Sequence, residues 1–132
     1  MVPDKLAFTV LDANNQGDYA RWLDEWAACG CADVFSHPGY TRLFAGPEDR
    51  ALCGHLEGKG LRVLFPILLR PVAAVQGRQL TDIVNPVGYG GPFVDMECGC
   101  RNELAKLFWD RFDSWAASQN VVAMFVRLHL IT

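Results

Sequence analysis

The segment at residues 82–92 (DIVNPVGYGGP) constrains the fold of this chain more than any other part of its sequence. It contains three glycines, two prolines and one tyrosine. Glycine adopts backbone conformations with φ > 0 and lets a ligand approach main-chain N–H groups, whereas proline fixes φ and removes a donor. Because an apolar run precedes the segment and a helical pattern follows it, we predict a strand, a glycine-rich loop and a helix. Many folds bind an anionic ligand with this arrangement, although most glycine-rich loops are only tight connections.

The composition is typical of a single globular domain. The chain has 132 residues, of which 51% are hydrophobic and 20% charged, and this excludes a disordered chain. Its net charge is −3, and lysine and arginine are scattered, so we expect no nucleic-acid partner. No apolar run reaches the roughly 18 residues of a membrane span, and the first residues lack a signal-peptide pattern. We therefore expect no membrane partner and a cytoplasmic location.

The cysteines raise the question of a metal site. They are Cys29, Cys31, Cys53, Cys98 and Cys100. An odd number of cysteines without an export signal predicts reduced thiols. Two pairs have C-x-C spacing, which is tighter than the C-x₂₋₄-C spacing of most zinc sites. We therefore expect small buried or loop cysteines and no metal, although His37 and His55 are available as further ligands.

Hydrophobic residues at helical spacing predict three helices. The first covers residues 18–29, where aromatic and aliphatic side chains recur at i, i+3, i+4 and i+7. A short second helix is predicted at residues 36–46, with Ser36 as its N-cap and a glycine at its end. The longest helix covers residues 101–119, and Asn102 is its candidate cap.

Apolar runs bounded by turn residues predict five strands. They cover residues 8–11, 51–56, 61–69, 79–84 and 121–130. The second and third strands form a predicted hairpin, and Pro66 within it indicates a bulge or an unpaired position. The last strand is nearly all apolar, as a central strand covered on both faces would be.

Two polar residues, Arg127 and His129, interrupt the last strand near its carboxyl end. Their spacing puts them on the same face, and ligands of open α/β sheets bind at such ends. A buried arginine needs an anionic partner. That partner is either a ligand carboxylate or phosphate, or an internal acid such as Asp82 with a purely structural role, and both alternatives stay open.

The sequence stops two residues after this apolar strand. An exposed apolar edge or face would promote aggregation. We therefore expect something else to cover the strand: a second copy of the chain, another chain or a missing C-terminal half. This expectation gives an alternative function, a non-catalytic module that self-associates or docks onto a partner through its unfinished sheet.

Four motifs resemble those of FemAB-like acyltransferases, a branch of the GNAT superfamily. Residues 33–40 look like that family's entry to its second helix, and residues 64–70 look like its proline-containing strand. Residues 82–92 look like its glycine-rich loop, which is the most specific match, and residues 125–129 look like the strand that follows. The resemblance covers nearly the whole chain but only the N-terminal half of such a protein, whose members resemble two GNAT-like halves in tandem.

The resemblance implies an α+β fold, a GNAT-like mixed and mostly antiparallel sheet flanked by helices and truncated after its fifth main strand. It also implies an enzyme that transfers an acyl or aminoacyl group to an amine. The donor would be acetyl-CoA or another acyl donor, and the acceptor a small molecule or a peptidoglycan-precursor-like ligand. The loop lacks the basic first residue and the regular glycine spacing of the coenzyme A motif. A second half or a partner would be needed to complete the catalyst.

The candidate site combines the loop with the last strand. The predicted ligand-binding residues are Asn85, Gly88, Tyr89, Gly90, Gly91 and Arg127. The predicted catalytic residues are His129, Tyr89 and Asp82. Backbone N–H groups of the glycines suit an oxyanion or phosphate, and His129 has a pKa suited to a general base. Tyr89 would donate a proton or a hydrogen bond, and Asp82 would orient Arg127 or His129.

Overall fold

The computed structural model describes residues 6–29, 33–58, 60–86, 88, 90–95 and 101–127. In chain order the elements are β1 (Ala7–Asp12), α1 (Gln16–Ala28), a 3₁₀ turn (Val34–Ser36), α2 (Pro38–Leu43), β2 (Arg50–Gly58), β3 (Leu61–Val75), β4 (Arg78–Val84), β5 (Phe93–Asp95), α3 (Arg101–Ser118) and β6 (Val121–Phe125). Among the described residues, no helix is both long and apolar enough to span a membrane.

The described strands form one sheet, in which β1, β2, β3, β4 and β6 are neighbours in this order and β5 pairs with β3. Every pairing is antiparallel except that of β4 with β6. Two parallel strands need a crossover connection, and the segment that contains α3 provides it. The predicted α+β class with a mostly antiparallel sheet is confirmed.

Helices cover both faces of the sheet and create two hydrophobic cores. On one face, Phe108 and Phe112 of α3 pack against β2, β3 and β4. On the other face, Trp22 of α1 packs against β1, β2 and β3. Side chains of β3 alternate between the two cores, so that Phe65 faces α3 while Leu64 faces α1. Because both faces are covered, the first part of β3 is a nearly continuous apolar run.

Aromatic rings fix α3 on the sheet. Phe108 and Phe112 stack with their centroids 5.8 Å apart, and Phe65 meets their edges at 6.0 and 5.1 Å. Gly54 of β2 makes room for this cluster, since a Cβ there would lie 3.2 Å from the Phe112 ring. A glycine inside a strand is usually unfavourable, and here it permits a close approach of the helix.

Two tryptophans fasten α1 to the chain that follows it. Trp22 is fully buried, and its Nε1–H donates a hydrogen bond to the Ser36 carbonyl at 2.9 Å. The Nε1–H of Trp26 donates to the Asp33 carbonyl at 2.7 Å. A buried indole needs such a partner. The predicted helix and its apolar stripe are therefore confirmed, and both rings pack as core residues.

The glycine-rich loop interrupts a single run of antiparallel pairing along β3. β4 pairs with β3 as far as Val84 opposite Leu68, and β5 resumes the pairing with Phe93 opposite Leu64. The pairing with β3 therefore stops after Val84 and resumes at Phe93, while β3 advances only through residues 65–67. The loop connects two strands, β4 and β5, that pair with the same edge of β3.

Pro66 lies opposite this loop. Its pairing with Cys53 of β2 runs without a shift. On its other side β3 has no strand partner at this position among the described residues, so a missing N–H on that side interrupts no strand pairing. The predicted unpaired position is thus found, whereas the shift in register lies farther along, between Pro71 and Ala73.

The predicted helix caps are wrong. His37 caps α2, because its Nδ1 accepts a hydrogen bond from the Gly39 N–H at 2.9 Å. Ser36 instead ends the 3₁₀ turn, where its hydroxyl donates to the Asp33 carbonyl at 3.1 Å. Asn102 lies inside α3, which begins one residue earlier. A histidine rarely serves as an N-cap, so the serine next to it was the better candidate by sequence.

β6 is an edge strand, and the prediction of a central strand covered on both faces is wrong. β4 is its neighbour on one side, and no described strand pairs with the other. Four of its five residues are exposed. An apolar run identifies a strand without showing where its cover lies. Residues 128–130 of the predicted strand lie outside the described residues.

Truncation of an α3 core residue is expected to cost much stability. Leu104 is 2% exposed, and Leu104→Ala should lower the free energy of unfolding by about 2–5 kcal/mol because it leaves a cavity. Leu43→Ala makes the same change at a residue that is 73% exposed, and its effect should stay within about 0.5 kcal/mol. Urea unfolding followed by tryptophan fluorescence measures both, and equal losses would contradict this placement of α3.

Candidate functional site

A cleft of about 280 Å³ opens at the carboxyl ends of the parallel strands β4 and β6. Its lining consists of Val84, Asn85, Pro86, Gly88, Phe125 and Arg127. Ligands of α/β sheets gather at the carboxyl ends of neighbouring parallel strands. An apolar wall with a few polar groups, here an amide and a guanidinium, is typical of small-molecule sites.

The Asn85 side chain holds the walls of the cleft together. Its Oδ1 accepts a hydrogen bond from the Arg127 main-chain N–H at 2.9 Å. Its Nδ2 donates to the carbonyl oxygens of Pro86 at 2.8 Å and Gly88 at 3.3 Å. The Arg127 carbonyl accepts from the Gly90 N–H at 2.7 Å. One amide therefore closes the loop and ties it to the chain that leaves β6, so that Asn85 shapes the site and its polar atoms are occupied by the protein.

The glycines of the loop are required by packing inside the protein. A Cβ on Gly88 (φ 104°) would collide with the Phe35 ring, and one on Gly90 would lie 2.7 Å from the Asn85 Cβ. Gly91 is crowded by the main chain of β5 at 2.5 Å. Gly90 and Gly91 are buried. The structure therefore does not support an anion cradle at these two residues, and Gly88 is the described glycine that lines the cleft.

The loop leads into β5, so the predicted strand–loop–helix order is wrong. Phe93 is buried, and its pairing opposite Leu64 draws the chain back to β3. α3 begins later, at Arg101. The helix N-terminus is therefore not adjacent to the loop in the chain, and an anion at the cleft depends on side chains for its charge partner.

Arg127 lies at the rim of the cleft with an exposed side chain, contrary to the predicted buried arginine. Asp82, its predicted internal partner, is engaged by Arg70 through Nε to Oδ1 at 2.8 Å and Nη2 to Oδ2 at 2.7 Å. This bidentate hydrogen bonding by Arg70 lowers the pKa of Asp82. Within the described ranges, no carboxylate pairs with the Arg127 guanidinium. The guanidinium is therefore available to an anionic ligand.

The structure brings together part of the predicted site. Asn85, Gly88 and Arg127 meet at the cleft. Tyr89 and His129, two of the predicted catalytic residues, lie outside the described residues. The third, Asp82, lies on β4 but is held by another partner. The described geometry thus supports ligand binding, and the catalytic roles of Tyr89 and His129 stay predictions.

A second polar cluster, not predicted from the sequence, lies between α1 and the sheet. Glu25 is 8% exposed and accepts hydrogen bonds from His55 Nε2 at 3.0 Å and Arg62 Nε at 2.6 Å. Arg21 pairs with the nearby Glu57. The signal in the sequence is an acid within the apolar stripe of α1, together with a histidine and a glutamate two residues apart on β2.

This cluster resembles a metal site in its residue types. Glu25, His55 and Glu57 offer ligand atoms that all lie within 4.8 Å of one another. Each carboxylate already has an arginine partner, however, Arg62 for the first and Arg21 for the second. Since these arginines neutralise the charge that would attract a cation, we assign the cluster a structural role.

The cluster determines the protonation states of Glu25 and His55. Burial opposes ionisation of Glu25, but the hydrogen bond from Arg62 and the charges of the neighbouring groups outweigh it and lower the pKa of Glu25 to about 2. Burial lowers the pKa of His55, against the opposing charges of the two glutamates. At neutral pH the interior therefore holds an ionised glutamate beside a neutral histidine.

Two cysteines fall in the described part of the chain. Cys53 is a buried thiol, and burial raises its pKa, so it has little thiolate at neutral pH. Cys29 is also buried. The remaining three, Cys31, Cys98 and Cys100, lie outside the described residues. The expectation that neither C-x-C pair binds a metal therefore stays a prediction.

Comparisons of the chain with known protein families, with curated proteins and with solved structures found no match. The resemblance to FemAB-like acyltransferases therefore stays a prediction. The function has to be inferred from the chemistry of the cleft.

Removal of the Asn85 side chain is expected to destabilise the fold. Asn85→Ala leaves the Arg127 N–H and two loop carbonyls without partners, and should lower the free energy of unfolding by about 1–3 kcal/mol. Asn102→Ala is a matched control, because Asn102 is exposed on α3, and should change it by less than about 0.5 kcal/mol. Urea unfolding measures both. An Asn85→Ala protein as stable as the control would contradict the role of Asn85 as a tie between strands.

The pKa shifts of His55 and Glu25 predict that acid destabilises the fold. Because both pKa values are lower in the folded state, the unfolded chain binds more protons as the pH falls, and the free energy of unfolding decreases. The His55 contribution is complete above about pH 6.5 and is lost below it. The Glu25 contribution is complete above pH 4.5 and is lost as the pH falls towards 2.

The His55 part of this prediction is tested by urea unfolding at pH 7 and pH 5. Wild type is expected to lose more stability between these two values than His55→Gln, in which no imidazole titrates at this position. Comparing each protein with itself removes the cost of the substitution. A His55→Gln variant whose stability falls as steeply as that of wild type would show that His55 does not contribute.

Proposed function

We propose that this chain is an acyltransferase-type domain that binds a small anionic ligand with an apolar acyl part in the cleft between β4 and β6. The observation that carries the proposal is the position of Arg127, whose exposed guanidinium stands at the rim of an apolar cleft. A single charge beside an apolar wall suits a ligand with one anionic and one apolar end. A cytoplasmic location is part of the proposal.

Each part of the cleft has a distinct chemical task in this proposal. The planar guanidinium of Arg127 binds a carboxylate or phosphate with two hydrogen bonds. Val84 and Phe125 provide apolar surface for an acyl chain. Gly88 lines the same cleft, so its backbone would lie beside the acyl group.

The volume of the cleft limits what it holds. At about 280 Å³ it lies near the lower limit of sites for drug-sized ligands, which start at roughly 300 Å³. An acyl group with its neighbouring amide fits this space, whereas the rest of a donor as large as acetyl-CoA would lie outside it. The same space suits the amide-bearing end of a peptidoglycan-precursor-like acceptor.

Acyl transfer to an amine needs a base for the amine, stabilisation of the oxyanion and a proton for the leaving group. We propose His129 as the base and Tyr89 as the proton donor, since they are neighbours in sequence of Arg127 and Gly88. Asp82 has no role in this proposal, because Arg70 holds its carboxylate. A second half or a partner would complete the cleft.

One observation favours the alternative function of a non-catalytic docking module. β6 leaves an apolar edge of the sheet exposed. Such an edge is a template for pairing with another strand. The two functions are compatible, because the cleft lies between β4 and β6, whereas docking would use the opposite edge of β6.

The ligand proposal predicts that Arg127 is required for binding. In calorimetric titrations with acetyl-CoA, Arg127→Gln should weaken binding by about tenfold to a hundredfold, since it removes charge-assisted hydrogen bonds. Arg127→Lys keeps the charge but not the planar fork, so its affinity should lie between those of wild type and Arg127→Gln. Arg111→Gln is the matched control, because it removes an exposed arginine from α3, and should bind like wild type.

Two results would contradict the proposal. Folded wild-type protein that binds neither acetyl-CoA nor a peptidoglycan precursor would remove the ligand site. Equal weakening by Arg127→Gln and Arg111→Gln would show that only net charge matters. Release of free thiol from acetyl-CoA in the presence of an amine acceptor tests transfer separately from binding.

A further inference from the structure

We propose that two copies of this chain associate through the outer edges of their β6 strands. The strands would run antiparallel about a two-fold axis at Ala123 and join the two sheets into one. The partner is a second copy, and the contact is the same on both sides. The inference does not depend on the ligand proposed for the cleft.

β6 presents an unusual concentration of exposed apolar surface. Val122 is 60% exposed, Met124 45% and Phe125 69%. These side chains lie on both faces of one strand, next to a row of main-chain groups that no described strand pairs. Large exposed apolar side chains concentrated on one strand are typical of an interaction site.

The outer edge of β6 lacks the features by which natural proteins prevent edge strands from pairing. Natural edges carry charges, prolines or bulges that prevent pairing. Residues 114–126 include no charged residue and no proline. The strand is therefore open to pairing with an apolar strand, and an identical strand meets that requirement.

The sequence of β6 is complementary to itself about Ala123. In an antiparallel pair centred there, Val122 of each copy faces Met124 of the other, and Val121 faces Phe125. The smallest side chain of the strand meets itself at the axis. Each cross-strand pair joins a β-branched residue to a larger apolar one, which are combinations that stabilise sheets.

Charge complementarity also favours a second copy. The same register brings Arg127 of one copy opposite residue 119 of the other, immediately after the carboxyl end of α3 at Ser118. A helix carboxyl end carries partial negative charge, and the last turn of α3 contains no basic residue. The guanidinium of one copy would thus join Arg78 of the other, which hydrogen-bonds the Asn120 side chain at 2.6 Å, at the carboxyl end of the other copy's α3.

The pairing also covers a groove on the α3 face. A groove of about 300 Å³ runs between α3 and β6, with Phe112, Ala116 and Met124 among its lining residues. A two-fold axis perpendicular to the sheet keeps both α3 helices on the same face. The α3 helix of the second copy would therefore lie beside this groove and reduce its exposure to water.

Sedimentation velocity across a dilution series tests the association. Wild type is expected to form dimers that dissociate on dilution. A monomer at every concentration would overturn the inference, and so would open-ended assembly, because a two-fold contact closes on itself.

Charged substitutions test the register. Val122→Lys and Met124→Glu each place a charge opposite an apolar side chain, twice per dimer, and each should raise the dimer dissociation constant by about tenfold or more. Val75→Lys is the matched control, since Val75 is 51% exposed on β3, and it should dimerise like wild type. Circular dichroism and urea unfolding show whether each variant is folded.

Mixing the two charged variants gives the most specific result. A Val122→Lys chain and a Met124→Glu chain place opposite charges across the strand pair, so the mixture should form heterodimers although each variant alone is monomeric. A mixture that stays monomeric would overturn the register about Ala123. Dimers that persist in both single variants would show that another surface associates.

Discussion

Strand β3 is the constraint on which the rest of the structure depends. It pairs with β2 along one side and with both β4 and β5 along the other, and its side chains reach both hydrophobic cores. Because β4 and β5 pair with different parts of the same edge, the chain between them has to leave the sheet opposite Pro66. The glycine-rich loop is the consequence of this double pairing.

The shape of the cleft follows from that excursion. Asn85 ties the loop to the end of β6 by accepting from the Arg127 main chain and donating to the loop carbonyls. The tie places the Arg127 side chain at the rim of the cleft. Glycines at 88 and 90 allow the close packing that the tie demands. Packing inside the protein therefore explains the glycines of the loop. The proposed ligand would contact the cleft and the Arg127 guanidinium.

The spacing of hydrophobic residues predicted the helices whose buried faces recur at regular intervals in the sequence. The helical spacing around Trp22 and Phe108 predicted α1 and α3, because an amphipathic helix records its buried face in the sequence. β5 was missed, since a strand as short as Phe93–Asp95 has no periodicity to detect. The apolar run of β6 predicted a strand correctly, but burial depends on what packs against it, and α3 covers it only in part.

The site residues were predicted less completely, because side-chain partners come from distant parts of the chain. Arg127 was expected to pair with Asp82, yet Arg70 lies directly opposite that aspartate on β3 and engages it first. Glu25 and His55 form a buried pair between α1 and β2, separated by thirty residues in sequence. A buried acid in an apolar helix stripe signals that a partner exists without identifying it.

The central claim is that the cleft between β4 and β6 binds a ligand through Arg127. The most direct measurement is nuclear magnetic resonance of ¹⁵N-labelled protein titrated with acetyl-CoA. The account predicts that the Asn85 side-chain amide, the Gly88 amide and the Arg127 Nε–H signals shift together, while signals of α3 stay in place. Saturating ligand that leaves these three signals unchanged, or that shifts signals only elsewhere in the chain, would contradict it.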